Sequence, residues 1–368
     1  MNRLKLKSGW SIMDSYILFK FLGSVFYSIA LLMTIIIVFD ISENINKFLE
    51  NNTPVWIIIS KYYFNFIPYF VNLFFPLFTF ISVIWFTSKL AGDNELISFF
   101  NGGISFYRVM FPYIVGALIL CVISLTMANF IIPYTNTEMY KFKETYVYKK
   151  KIISSSNIHF KQDAKTYVYA ERWKKKTLEG ENFTYEVFDT NTISYKLSAS
   201  EIKYNAANGH WLLYDFSVRS FDTNQVETFY NGDQLDTTFK FLPEDFNNDI
   251  TVAETMSYTK LIRFIDKERK KGSNLVKFYQ IERQKRMANP FSIIIMTLLG
   301  LSVAARKTRR GVGVHIFIGL FFVFTFIFFQ QVSNVFAISE QLSPALATWL
   351  PNIAYMVICI ILLRFTPK

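Results

Sequence analysis

Tyr279, Arg283, Arg286 and Pro290 recur at i, i+4, i+7 and i+11 in YQIERQKRMANP, residues 279–290. That spacing lines them along one stripe of a helix. The stripe leads into an apolar run at 287–305, and arginines so close to a bilayer are costly and usually face a wet cavity or a partner. A guanidinium there can hold a phosphate through two parallel hydrogen bonds. Two plainer readings stand beside this one: an arginine that lays its stem in the apolar layer and its head in water, and an i, i+4 pair of Glu282 with Arg286. A second constellation is AGDNELISFFNGGIS at 91–105, where Glu95 leads Leu96, Ile97 and Phe100. Polar residues before it and Asn101-Gly102-Gly103 after it mark a helix of about two turns near 93–101. Alone in water such a helix is marginal. Its apolar face must lean either on a partner's groove or on the lipid interface.

Other chemistry is absent from the sequence. No GxxxxGK(S/T) phosphate loop occurs, and GVGVHIFIG at 311–319 lacks both the lysine and the strand-then-helix setting. His159, His210 and His315 are far apart, without metal-ligand spacing, and read as structural or solvent-facing. There is no GxSxG elbow and no HExxH, so no catalytic residue is assigned and the chain reads as a non-enzyme. Asn182-Phe183-Thr184 matches a glycosylation triplet that nothing else supports. The net charge of +11 is spread over membrane flanks and a polar block, with no nucleic-acid-binding motif. Cys121 and Cys359 fall inside apolar runs, so no disulfide framework is expected.

The elements that must position these residues are mostly membrane spans. With 52% hydrophobic and 18% aromatic residues, the chain is too apolar for an ordinary soluble protein. Runs long enough for a bilayer core appear at 17–39, 68–88, 110–132, 314–336 and 345–363, with the shorter 287–305 as a sixth. The first lacks a small-residue cleavage site and is not a signal peptide. Between the third and fourth runs, NIHFKQ, TYVYAER, FTYEVFD, ISYKLSASEIKY and HWLLYDFSVRSF alternate as half-buried strands. The expected organisation is therefore 1–133 with three spans, 134–270 as one all-β domain, and 271–368 with three more. Asn208-Gly209 and Asn231-Gly232 are read as hairpin turns. Arg3, Lys5, Lys7, the 306–310 basic cluster, Arg364 and Lys368 fall on one face of a six-span chain, opposite Asp40, Glu43, Glu50 and Glu340. The positive-inside rule puts both termini and the 93–101 helix in the cytoplasm and the β domain outside.

The order of parts and several strings resemble the LptF/LptG family of permeases, which extract lipopolysaccharide from the inner membrane of Gram-negative bacteria. NELISFFNGGIS looks like the family's acid-led coupling helix, PYTN at 133–136 like the exit from the third span, and YQIERQKRMANP like the entry to the fourth. AARKTRRG at 304–311 and LATWLPN at 346–352 continue the match. The resemblance implies a transmembrane permease subunit of an ABC transporter, non-catalytic itself, with a β-jellyroll-like periplasmic domain. Its partners would be a paralogous LptF or LptG subunit as heterodimer, an LptB-type ATPase dimer carrying ATP and Mg, and an LptC/LptA-type periplasmic bridge. No cofactor is implied in this chain. Glu95, Leu96, Ile97 and Phe100 become ATPase-coupling residues, Glu95 meeting a basic residue there. Arg286, Arg283 and Tyr279 become candidates for the lipid's phosphates.

One departure concerns the outer end of the first span, where LptG-like members commonly carry several lysines. Here DISENINK offers only Lys47, behind Asp40 and Glu43. Phosphate contacts are then expected at Lys47 or on the partner subunit. A secondary transporter of another amphiphile is the alternative, but the central parts of the spans carry almost no acids, where such a transporter would need them. A membrane-anchored scaffold is the other.

Overall fold

The computed structural model describes residues 10–147, 154–189, 192–221, 226–246, 250–273, 275–305, 312–339 and 341–365. The basic clusters at 3–7 and 306–310, Lys368 and Glu340, on which the orientation argument rests, lie outside them. The chain divides into two compact units, one of Met1–Met139 with Ile281–Lys368 and one of Tyr140–Gln280.

Helix α1 is Ile12–Glu50, α2 Val55–Gly92, α3 Glu95–Asn101, α4 Phe106–Val147, α5 Tyr258–Lys270, α6 Val276–Ala304, α7 Val312–Ile338 and α8 Pro344–Arg364. Among the described residues, six of these are long and apolar enough to cross a membrane, all but α3 and α5. Each expected apolar run falls on one, the fourth ending one residue early at Ala304. Between helices in lipid there is little hydrophobic drive, so close approach depends on small residues and on hydrogen bonds. Gly116 of α4 lies under the Phe21 ring of α1, and Gly319 of α7 under Ile84 of α2; an added Cβ would stand 2.6 and 2.5 Å from them. Polar pairs cross-link the same bundle: Ser24 with Ser82 at 2.6 Å, Ser124 donating to Asn72 at 2.7 Å, and Thr87 with Tyr113 at 2.9 Å. Ser88 meets His315 Nδ1 at 3.0 Å, and the Asn352 amide donates to the Ala288 carbonyl at 2.9 Å. Of the three histidines, His315 is thus an interhelical one.

Near its start α2 widens into a π-helical segment, Ile58–Tyr63. The wider turn lets two consecutive tyrosines serve one acid, Tyr62 donating to Asp40 Oδ1 at 3.0 Å and Tyr63 to Oδ2 at 2.9 Å.

The second unit carries one six-stranded antiparallel sheet in the order β1 to β6: Ser154–Lys161, Thr166–Lys174, Glu179–Asp189, Thr192–Asn205, His210–Phe221 and Glu227–Thr237. The all-β expectation is met, and the strands form one six-stranded antiparallel sheet; among the described residues no closed jellyroll is seen. Asn208-Gly209 does turn β4 into β5, with Gly209 at φ +76°. Asn231-Gly232 does not turn: it lies inside β6, Gly232 opposite Phe216. The Phe216 ring covers that position, 2.8 Å from where a Cβ would be, so glycine is required by packing. A crease crosses the sheet. Ala170, Phe183, Ala199 and Phe216 form one buried row, and Trp173, Gly180, Ile202 and Leu213 the next, three residues on instead of two. The two rows between both turn outward. Asn182 takes a φ of +50° there and Asp215 one of +48°, a left-handed conformation that Asn and Asp tolerate. The buried face is then covered by the segment after β6, with Phe241 5.0 Å from Trp211 and Phe246 stacked 4.5 Å from Trp173.

Candidate functional site

α2 stops at Gly92, where the Asp93 amide closes on the Lys89 carbonyl at 2.9 Å, and Asn94 at φ +61° reverses the chain into α3. At the far end Gly103, at φ +79°, and Ile104 return their amides to Phe100 and Phe99 at 3.0 and 3.1 Å, a left-handed glycine stop. These backbone devices fix a seven-residue helix that cannot persist alone.

Leu96 holds it down. Its side chain is 1% exposed and packs among Ile17, Leu90, Phe106 and Val109, with Phe99 and Phe100 against the same cluster. The expectation that Leu96 fills a groove outside the chain is therefore not met, because its own bundle already buries it. Ile97 and Phe100 are half-buried and Ser98 is exposed, so α3 shows a mixed outer face. Glu95 opens the helix, where a carboxylate is favoured by the dipole. The Tyr16 hydroxyl of α1 donates to Glu95 Oε2 at 2.6 Å, and Lys20 Nζ stands 3.9 Å from Oε1 while bonding to the same hydroxyl. Beneath them Asp14, fully buried, takes both terminal nitrogens of Arg108, and Ser11 and Asp14 form a capping box at the start of α1. α1 is thus pinned to α4 by one acid while α3 is held to α1 by another.

Sequence reasoning missed Tyr16, Lys20, Asp14 and Arg108. Ser11-x-x-Asp14 carried a readable capping-box signal. Nothing local pointed to Tyr16, which lies 79 residues from Glu95.

The arginine stripe is differently placed. Arg286 is 4% exposed and its Nε donates to Glu282 Oε1 at 3.2 Å. Tyr279 is 1% exposed and falls in the other unit, packed with Ala253, Leu261 and Ile265, its ring 5.0 Å from that of Phe264. Arg283 is half-buried. Lys47 donates to Asn44 Oδ1 at 3.0 Å on its own helix. In the sheet, His159 lies against Tyr169 at 4.5 Å and His210 Nδ1 meets Asp236 at 2.8 Å. Among the described residues no group of three or more His, Cys, Asp or Glu could hold a metal ion.

Six membrane-spanning helices, a short acid-led helix seated on the first three, and an inserted antiparallel sheet define a multi-pass membrane protein. The chain belongs to the family of lipopolysaccharide export system permeases LptF/LptG, whose model matches residues 15–364. It is accordingly a non-catalytic transmembrane subunit. Among its relatives is the lipopolysaccharide export system permease protein LptG of Escherichia coli (strain K12), 19% identical over 300 residues, 81% of this chain and 82% of the relative. The LptG of Escherichia coli O6:H1 (strain CFT073) is similar to the same extent, 19% over 300 residues, 81% of this chain and 82% of the relative.

Proposed function

We propose that this permease is the membrane half of an ABC exporter that lifts lipopolysaccharide out of the inner membrane and hands it to a periplasmic bridge, and that α3 is where a separate ATPase dimer drives it. The family match over residues 15–364 carries the reading. The seating of α3 supports the coupling role: a helix fastened by Leu96 to α1, α2 and α4 can pass a push on its outer face directly to three spans. Glu95 is the group offered to a basic residue of the ATPase, with Ile97 and Phe100 as the apolar part of that contact. The second permease subunit would be a paralogue, and Arg286, Arg283 and Lys47 remain the candidates in this half for lipid phosphates, while Tyr279 is buried in its own cluster. Both termini are cytoplasmic and the sheet periplasmic in this reading, on the positive-inside rule.

Affinity isolation of the membrane complex tests it. An ATPase and a second six-span subunit should accompany the chain; their absence would favour a scaffold. A cysteine at Asn208, in the exposed β4–β5 turn, should react with an impermeant reagent from the periplasmic side. Labelling only after the inner membrane is opened would invert the orientation.

A further inference from the structure

Beside α3, between α1 and α2, lies a cavity of about 340 Å³. Along the spans it is lined by Gly23, Ser24, Tyr27, Trp85, Phe86 and Leu90, and at its end by Lys20, Lys89, Asp93 and Glu95. Its volume falls within the range of small-ligand sites. Gly23 leaves the slot open, since an added Cβ there would meet nothing within 4 Å. The charged end coincides with the end of α2 at Gly92, and Trp85, one turn before Lys89, is a residue type enriched where a span meets the headgroups.

The four charges are not equivalent. Glu95 is already served by Tyr16 and Lys20. Lys89 lies over the Trp85 ring at 5.7 Å and, among the described residues, makes no ion pair. Asp93 is exposed at the turn. The slot therefore offers a largely apolar channel, the Lys89 ammonium, and the Asp93 carboxylate, which is exposed and has Lys20 in its field. A purely anionic headgroup would satisfy Lys89 and meet repulsion from Asp93. A headgroup carrying both a phosphate and a primary ammonium satisfies both, and a quaternary ammonium would bring Asp93 no N–H donor.

We propose that this cavity binds a membrane phospholipid with a phosphoethanolamine headgroup, its phosphate on Lys89 with Lys20 nearby, its ammonium on Asp93, and an acyl chain along Gly23, Tyr27 and Trp85. This assignment does not require the coupling role of α3, though Lys20 and Glu95 border both.

Native mass spectrometry of the purified, detergent-solubilised protein tests it, with dioleoyl phosphatidylethanolamine, phosphatidylglycerol and phosphatidylcholine offered in equal amounts. Phosphatidylethanolamine should be retained in preference to both others. Lys89→Gln should lower its retention about tenfold, the effect of losing one charge-assisted hydrogen bond. Asp93→Asn should erase the preference over phosphatidylglycerol, and Gly23→Leu should block the slot. Lys61→Gln, at the other end of α2, should bind like wild type. Glycerophosphoethanolamine, which has the headgroup and no tails, should not displace the lipid. Equal retention of phosphatidylglycerol by wild type, unchanged retention in Lys89→Gln and Asp93→Asn, or displacement by the tailless headgroup would each overturn the proposal. If Gly23→Leu fails to fold, the two charge variants carry the test.

Discussion

The acid at the start of α3 and the arginine of α6 look alike in the sequence, each a charge beside a membrane span, and the fold treats them oppositely. Glu95 is held by groups from another helix yet keeps about a third of its side chain open, at 35% exposure, and borders two cavities. Arg286 is 4% exposed and paired one turn away with Glu282. A charge near a bilayer must be satisfied somewhere. Whether a charge can still meet a partner outside the chain depends on whether its own partner leaves part of it accessible, and sequence spacing does not report that.

The strongest way to break this comparison is to reverse the open charge. Glu95→Lys should leave the chain in the membrane but cut lipopolysaccharide release in proteoliposomes at least tenfold, since like charges across a docking contact cost several kcal/mol, about 2–5 kcal/mol. Normal transport with full ATPase binding would remove Glu95 from the proposed coupling contact. Next in size is Leu96→Ala, expected to cost about 2–5 kcal/mol in the seating of α3 as a buried leucine is cut back. Hydrogen exchange of residues 95–101 reads it directly, and Ile97→Ala, half-buried, should cost clearly less. Equal effects would show that α3 has no inward face.

The closed charge gives a smaller change and a sharper choice. Arg286→Ala should strip Glu282 of its partner and so destabilise by about 1–3 kcal/mol, against less than about 0.5 kcal/mol for Lys285→Ala. If the arginine serves Glu282 alone, the double variant Glu282→Ala with Arg286→Ala recovers both stability and transport. A double variant that folds well but still fails to bind lipopolysaccharide returns Arg286 to the substrate.

The smallest effect lies in the sheet. A hydrogen bond from Lys203 at 2.6 Å holds the Glu179 carboxyl below its ordinary value of 4.5. A lowered folded-state value stabilises above the unfolded one and is lost as pH falls through the folded one. Acid should therefore weaken the sheet below about pH 4.5, read by fluorescence of Trp173 and Trp211. Glu179→Gln should flatten that dependence by giving up at neutral pH the small contribution that acid removes; an unaltered acid transition would show the pair to be inert.

Six spans, their places along the chain, the acid-led helix and the all-β insert were legible in the sequence because each is a local property. An apolar run of bilayer length, a glycine stop and a period of two are written in consecutive residues. The cysteines and the missing catalytic motifs were equally local, as was the possible Glu282–Arg286 pair four residues apart. Asn231-Gly232 shows where local reading fails: the same dipeptide turns a hairpin elsewhere, yet here it pairs with Ser217 and Phe216 of β5 inside a strand, the glycine lying under the Phe216 ring. The crease, likewise, puts Trp173 three residues after Ala170 on the same face, and only the neighbouring strands fix which rows turn outward. Tyr16 and Glu95, Asp14 and Arg108, and Asp40 with its two tyrosines were beyond reach for the same reason. Partners 79, 94 and 22 or 23 residues apart are chosen by helix packing, and no spacing rule within one helix extends across a bundle.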